Sequence, residues 1–591
     1  MKTVQSQDLF QDSYHKHQNS PLKIMLGIYK GHYNKFVLAT IFYIIKHSPS
    51  WAMPIVISNI VNYVTQGDRN GFHFITMNAI VIISLIILNV PMNYLHVHFR
   101  SRAIRFVEAG LRSSLVRKLQ QLSMGYHKEM PSGRLQSKIM RDVEAIETLS
   151  SQMFVNLLTI SINILVAMVI TLYKNGIVFL FFLLTIPVAS LVIVTFRKKI
   201  RFQNRKFREE MEETSVKVME MVEMLPVTKA HALEKVEVER INDQVYQVAQ
   251  EGYRLDIIQA NFGSVSWATF QIFQILCLVF TGFLALNNKI QAGDIVLYQT
   301  YFSTIVNQVS SLITLLPTIA KGMESVTSIG EILNAHDIED NHGKIKLKNL
   351  QGAYEFRDIK YAYPNQEKHV LNGLSLKINP GETIAFVGES GAGKSTALNL
   401  VIGFILPTEG ELLVDGHDIK EINLQCYRKH IAVVPQNTIL FSGSIRDNIT
   451  YGLPSVSEKQ LQEAIEAANL TELIHSLPQG LDTKIGEHGD KLSGGQRQRI
   501  SIARAIIRDP KVILFDEATS ALDSKSEKLI LESMERLVKG RTTFIVAHRL
   551  STIRQADKIG VIKNGACVEF GTYDELMAMK GEFYKMRVLQ A

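Results

Sequence analysis

The 591-residue sequence predicts two successive folds: an α-helical transmembrane domain of six spans with long cytosolic extensions, then an α/β domain built around a strand, a glycine-rich loop and a helix. Three observations carry this. The chain is 46% hydrophobic, and the excess is concentrated before about residue 320. Six apolar stretches there approach or exceed the roughly 20 residues that a helix needs to cross a bilayer. Beyond Ile332, short β-branched runs alternate with helical patterns over about 250 residues, too long a texture change to belong to the same core.

Taken in order, residues 1–21 are polar and lack the apolar centre of a signal peptide, so a loose cytosolic tail is expected. A short amphipathic segment, 21–29, could lie flat on a membrane surface. The spans fall near 36–65, 73–96, 153–173, 177–196, 262–286 and 295–319, inside a domain of residues 22–330. The loops alternate in charge. Three short ones, 66–72, 174–176 and 287–294, hold only Arg69, Lys174 and Lys289 as lysine or arginine. Segments 98–150 and 197–260 hold about twenty such residues, which marks their side as cytosolic and leaves both chain ends there. Both segments keep helical periodicity, for example Leu111, Leu115, Leu119 and Leu122, so the spans should continue as helices and turn back. The turns are expected near 123–128 and 230–238.

Cys277, Cys426 and Cys567 have no paired spacing, which excludes a disulfide framework and a thiolate metal site and fits a reducing compartment. A polar linker, 331–345, leads into the α/β domain, 346–591.

In that domain an apolar strand, 383–387, runs into Gly388, Glu389, Ser390, Gly391, Ala392, Gly393, Lys394, Ser395 and Thr396. This is a phosphate-binding loop in its required context, strand before and helix after. Its glycines let backbone N–H groups approach phosphates, and the helix N-terminus adds positive potential. Lys394 is expected on the β- and γ-phosphates of ATP, and Ser395 on Mg²⁺. A second apolar strand, 512–516, ends in Asp516 and is followed at once by Glu517. One carboxylate for the metal and one for the attacking water is what phosphoryl transfer to water needs.

Between these lies Leu492, Ser493, Gly494, Gly495 and Gln496, and with this pentapeptide the chain resembles the ATP-binding cassette (ABC) family. Further matches follow in the family's order. Tyr363 resembles the aromatic that stacks on adenine, and Gln436 the glutamine that senses the metal. Asp523, closing Ser520-Ala-Leu-Asp, resembles the D-loop aspartate, and His548 the switch histidine at the γ-phosphate. The resemblance implies catalytic roles for Glu517, His548 and Gln436, and Mg²⁺ held through Ser395, Gln436 and Asp516. It also implies that two cassettes close head to tail, Ser493 and Gly495 of one touching ATP held by the other. The partner is then a second half-transporter chain, identical or related.

Six spans ahead of one cassette resemble the half-size exporters related to bacterial multidrug, lipid and peptide transporters. Gly133-Arg-Leu with Arg141-Asp-Val, and the stretch 483–489 before the pentapeptide, follow exporter style, although His488 is unusual there. The sixth span lacks a mid-helix proline near Gln308. The resemblance implies ATP-driven export of a peptide, lipid or amphipathic drug-like molecule across a prokaryotic cell membrane by alternating access. Import of the siderophore type and an ABC-type regulated channel are the alternatives. The spans exclude the soluble ABC proteins of ribosome and DNA, so no nucleic-acid partner is expected.

For the transported substrate, polar residues recur at helical spacing on several spans, among them Gln271, Gln274 and Tyr298. Lys46 and His47 lie near mid-depth of the first span, where a lysine costs about 2.5–3.5 kcal/mol on insertion scales. Pro49 and Pro54 beside them would free backbone carbonyls. Polar stripes face either a water-filled cavity or a neighbouring helix, where they act as hydrogen-bond glue; the candidate cavity lining is these five residues, with Lys46 expected to face the cavity and favour negative charge.

Overall fold

A computed structural model describes residues 5–17, 20–66, 71–364, 368–486, 489–516, 524–547 and 550–590. The chain divides into two compact units. The first runs to Ala335 except for Gln121–Met130, which belong with His336–Ala591 to the second.

The first unit is helical. Helix α1 (Gln5–Lys16) is followed by α2 (Pro21–Ile28), α3 (Tyr33–Gln66), α4 (Gly71–Gln121) and, past the short α5 (Met124–Glu129) that belongs to the second unit, α6 (Ser132–Lys174), α7 (Gly176–Ala230), α8 (Glu234–Leu286) and α9 (Ala292–Leu333). The loose tail is corrected by α1, which buries Phe10 and Tyr14. Glycines seat it: a Cβ on Gly110 of α4 would come within 2.9 Å of the Phe10 ring, and one on Gly27 of α2 within 2.8 Å of Ser13.

Four helices, Phe72–Gln121, Ser132–Lys174, Glu234–Leu286 and Ala292–Leu333, are long and apolar enough to span a membrane by length and composition. Six spans were expected, and these four are the ones found among the described residues. In α3 the apolar run is interrupted by Lys46, His47, Ser48, Pro49 and Ser50. In α7 the described apolar stretch is Gly176–Thr185. At 55 and 53 residues, α7 and α8 are each about 80 Å long, so the spans do run on as helices. They reverse at His231–Leu233, with Ala232 at φ 54°. The pair is joined by Lys206–Glu251 at 3.0 Å and Lys217 Nζ to Gln244 at 2.7 Å.

At the opposite end of the bundle, α9 starts with a capping box between Gln291 and Asp294. Asp294 accepts from Ser58 Oγ at 2.9 Å and from Lys174 Nζ at 2.6 Å. Gly293 is required there, because a Cβ would meet Ser58 O at 2.1 Å.

The second unit carries two sheets. Four antiparallel strands lie in the order β2-β1-β4-β5, with β1 Tyr354–Tyr361, β2 Leu371–Ile378, β4 Glu409–Val414 and β5 His417–Asp418. The larger sheet has the order β10-β9-β3-β8-β7-β6. Its strands are β3 Thr383–Val387, β6 Ile431–Val434, β7 Val512–Asp516, β8 Thr542–Val546, β9 Lys558–Lys563 and β10 Ala566–Gly571. All pairs but β9–β10 are parallel. Alternation along β3 and β7 divides the core. Ala385, Val387, Ile513 and Phe515 face one layer; Ile384, Phe386, Val512 and Leu514 face the other.

The expected polar linker is largely knitted to this unit. Ile345 pairs with Ile422, and Arg428 bonds Glu339 at 2.7 Å. Gln121–Met130 join through Ser123 N to Asp337 O at 2.9 Å and Glu339 N to Gln121 O at 2.8 Å.

Candidate functional site

The glycine-rich loop leaves the carboxyl end of β3, a central strand of the parallel sheet, where open α/β sheets bind ligands. It enters helix α10 (Lys394–Ile402) at Gly393, whose φ of 106° no side chain adopts without strain. The cradle is tight. A Cβ on Gly388 would sit 2.2 Å from Ile562 O of β9, and one on Gly393 2.8 Å from Leu371 of β2. Lys394 Nζ curls back to Gly388 O and Glu389 O, each at 2.9 Å, so its charge is held over the loop.

Ser395 Oγ donates to Asp516 Oδ1 at 3.5 Å, which brings the end of β7 to the first turn of α10. A hydroxyl and a carboxylate side by side form an all-oxygen donor pair, the set that Mg²⁺ favours, and the loop geometry fits a polyphosphate beside it. Thr396 lies within 3.3 Å of Tyr363 OH. The Tyr363 ring meets Tyr361 edge-on, and Lys128 of α5 holds its ammonium 5.4 Å from the ring centroid, a cation–π contact.

The pentapeptide forms the start of helix α11 (Gly494–Ile506). Ser493 and Gln496 make a capping box: Ser493 N donates to Gln496 Oε1 at 2.8 Å and Gln496 N to Ser493 Oγ at 3.3 Å. Leu492 is buried beneath, while Ser493 and Gly494 are exposed. An exposed N-terminus of a 13-residue helix can receive an anion from outside the chain.

Sequence reasoning passed over Gln498, which is buried and spans two segments. Its Nε2 donates to Pro435 O at 3.3 Å, and its Oε1 accepts from Thr438 Oγ1 at 2.5 Å. The exposed Gln436 lies between those two anchors. Arg504 also anchors α11, through Asn448 O at 2.8 Å and Ile439 O at 3.1 Å. Lys128 was named only as part of a turn. No local spacing signals either contact, since their partners are about 60 residues away for Gln498 and more for Lys128.

Glu517, Asp523, His548 and His488 lie outside the described residues. Among those described, no group of histidine, cysteine or acidic residues could hold a metal ion by itself. All three cysteines are free, and burial pushes the Cys567 thiol up to about 11.

The five expected cavity residues are not brought together within the single chain. Tyr298 lines a cavity of about 800 Å³ with Lys174 and Asp294. Gln271 is exposed, and the main-chain oxygen of Gln274 accepts from Gln299 Nε2 at 3.2 Å. Lys46 and His47 are half-buried on α3, the His47 ring 4.2 Å from that of Tyr43.

Two family models match: ABC transporter over residues 371–520 and ABC transporter transmembrane region over residues 36–309. A Bacillus subtilis (strain 168) protein named "Putative multidrug export ATP-binding/permease protein YgaD" is 32% identical over 94% of this chain and 97% of its own. An ATP-dependent lipid A-core flippase of Syntrophus aciditrophicus (strain SB) is 31% identical over 96% and 94%. Among solved structures, a bacterial Atm1-family ABC exporter with ATP bound superposes with a TM-score of 0.82 at 26% identity, covering 94% of this chain and 98% of that one.

Proposed function

The chain belongs to the ABC transporter family, and from that premise we propose that it exports an amphipathic substrate, driven by ATP hydrolysis, as one half of a two-chain transporter. The observation that carries the reading is the convergence of the Gly388–Ser395 loop and Asp516 at one edge of the parallel sheet. The same chain also carries helices long and apolar enough to span a membrane, so nucleotide chemistry and a transmembrane path lie in one chain.

In this reading Tyr363 stacks on adenine while the loop amides and Lys394 hold the phosphates. Ser395, Asp516 and Gln436 hold Mg²⁺, which when bound neutralises charge developing on the transferred phosphoryl group. Glu517 orients the attacking water and His548 contacts the γ-phosphate. The exposed Ser493, with the buried Gly495 just behind it in the helix start, completes the site of a second chain, and Asp523 approaches across the same junction. Binding energy realised only in the closed pair then switches the bundle between inward and outward openings. Both chain ends face the cytosol of a prokaryotic cell, as the lysine and arginine bias supports. The names of the relatives, an export protein, a flippase and an exporter, favour export over siderophore-type import or a regulated channel.

The test is Glu517→Gln in protein reconstituted in liposomes. ATP binding is expected to persist while turnover falls at least a hundredfold, as for loss of a general base. Turnover near the unmodified rate contradicts the assignment.

A further inference from the structure

Between α3, α4 and α6 lies a cavity of about 260 Å³, just below the range of about 300–1,000 Å³ typical of small-molecule pockets. Phe36, Phe154, Leu157 and Leu158 form an apolar wall, with the Phe36 and Phe154 rings stacked 3.9 Å apart. His96 and Arg100 of α4 supply its polar side. His96 Nδ1 donates to Ala39 O at 2.8 Å, and Arg100 faces its Nε2 at 3.5 Å. Because a guanidinium only donates, that nitrogen is the acceptor and His96 is neutral in this arrangement. Arg100 therefore spends one arm on histidine and none on a carboxylate.

The charge of its lining is one-sided, and the nearest acids along the same helices, Glu108 and Glu147, are paired with Arg105 and Arg112. Lys46 stands seven residues along α3 from Ala39, about 10 Å, and lies within electrostatic reach of both Arg100 and His96. Neither Lys46 nor Arg100 has an acidic partner within ion-pair distance among the described residues. From residue 22 to 107 the sequence holds a single acid, Asp68, beyond the far end of α3. The stretch of α6 that lines the cavity, 153–161, holds none. Cations set into a membrane bundle without a counter-charge are costly, and an anion from outside the chain removes that cost.

We propose that this cavity seats the phosphate head of an anionic amphiphile, with Arg100 of its lining holding the charge, Lys46 adding positive potential from further along α3, and the phenylalanine wall receiving the start of its chain. The volume takes a head and a short length of chain, not a whole lipid, so the remaining chain lies in the bilayer. The inference rests on the transporter reading for its membrane setting and names a ligand class that reading leaves open. A lipid of the cytosolic leaflet and a transported amphiphile share this chemistry.

The test uses the full chain in phosphatidylcholine nanodiscs, with a fluorescent lysophosphatidic acid as probe and its uncharged monoacylglycerol as control. The unmodified protein is expected to retain the phosphate probe at least about tenfold more tightly than the control, the worth of one charge-assisted bond. Arg100→Gln with Lys46→Gln should remove that preference, and Arg100→Lys with Lys46→Arg should keep it. No preference in the unmodified protein, or an undiminished one in the double glutamine variant, overturns the proposal. The head-group comparison on the unmodified protein decides even if that variant does not fold. In liposomes, MgATP-driven transfer of the probe to the far leaflet identifies it as cargo, and retention without transfer identifies a resident lipid; either supports the site. MgATP turnover is measured in parallel, because the transporter reading requires it and this binding does not.

Discussion

At the scale of single residues, the ATP site is a set of backbone constraints as much as a set of side chains. Gly388 and Gly393 leave no room for a Cβ, so the loop lies close against β9 and β2. This part was legible in the sequence because the chemistry is local: Lys394, Ser395 and the glycines are consecutive, and Asp516 ends its own strand. Gln498 was not legible, because its two partners lie in another segment. It is expected to act by holding Gln436 in place, as a positioning residue. Gln498→Ala should lower steady-state turnover about tenfold while leaving equilibrium ATP affinity within a few fold, since the lost bonds are remote from adenine and the phosphate loop. Equal losses in affinity and turnover would mean the whole site had moved. The polar stripe read as a cavity lining illustrates the converse. Helical spacing placed Gln271, Gln274 and Tyr298 on spans but could not say which faces meet, and Tyr298 turned inward to a cavity at the other end.

At the scale of elements, the long helices were legible from periodicity and from the shortage of breakers, and the turn at Ala232 falls inside the expected 230–238. Helix α1 was not, because a mostly polar segment of 12 residues carries only three large apolar side chains, Leu9, Phe10 and Tyr14. The packing decides it: the Phe10 ring fills a seat over Gly110, where a Cβ would come within 2.9 Å, and the Tyr14 ring packs beside Gly330. Phe10→Ala empties one seat and should cost about 3 kcal/mol, toward the lower end for buried phenylalanine, if the helix stays docked. The check is the thermal midpoint of the detergent-solubilised protein, compared with a variant truncated before Ser20. Unchanged midpoints in both would mean that α1 contributes nothing to stability. The linker shows the same limit of composition. The polar composition of 331–345 reads as a linker, yet Glu339 and Ile345 bond into the second unit, contacts that no composition reports.

At the scale of the whole molecule, the proposal makes the single chain incomplete. Its phosphate loop and its exposed Ser493 helix start are two halves of different sites, so activity must depend on pairing. The family and its order of domains were legible because the motifs occur in the family's order along the chain. Which molecule crosses the membrane was not, because a cavity is assembled by faces of several helices and, in this reading, by two chains. The most direct test of the central claim is the ATPase rate of dimers mixed from Lys394→Ala chains and Ser493→Arg chains. Each parent dimer should be inactive, because both of its sites carry a defect. In the mixed dimer both defects fall on one composite site and leave the other whole, so the account predicts recovered turnover, up to about half the unmodified rate if the sites fire independently. A mixture as inactive as its parents would contradict shared sites, and with them the two-chain transporter.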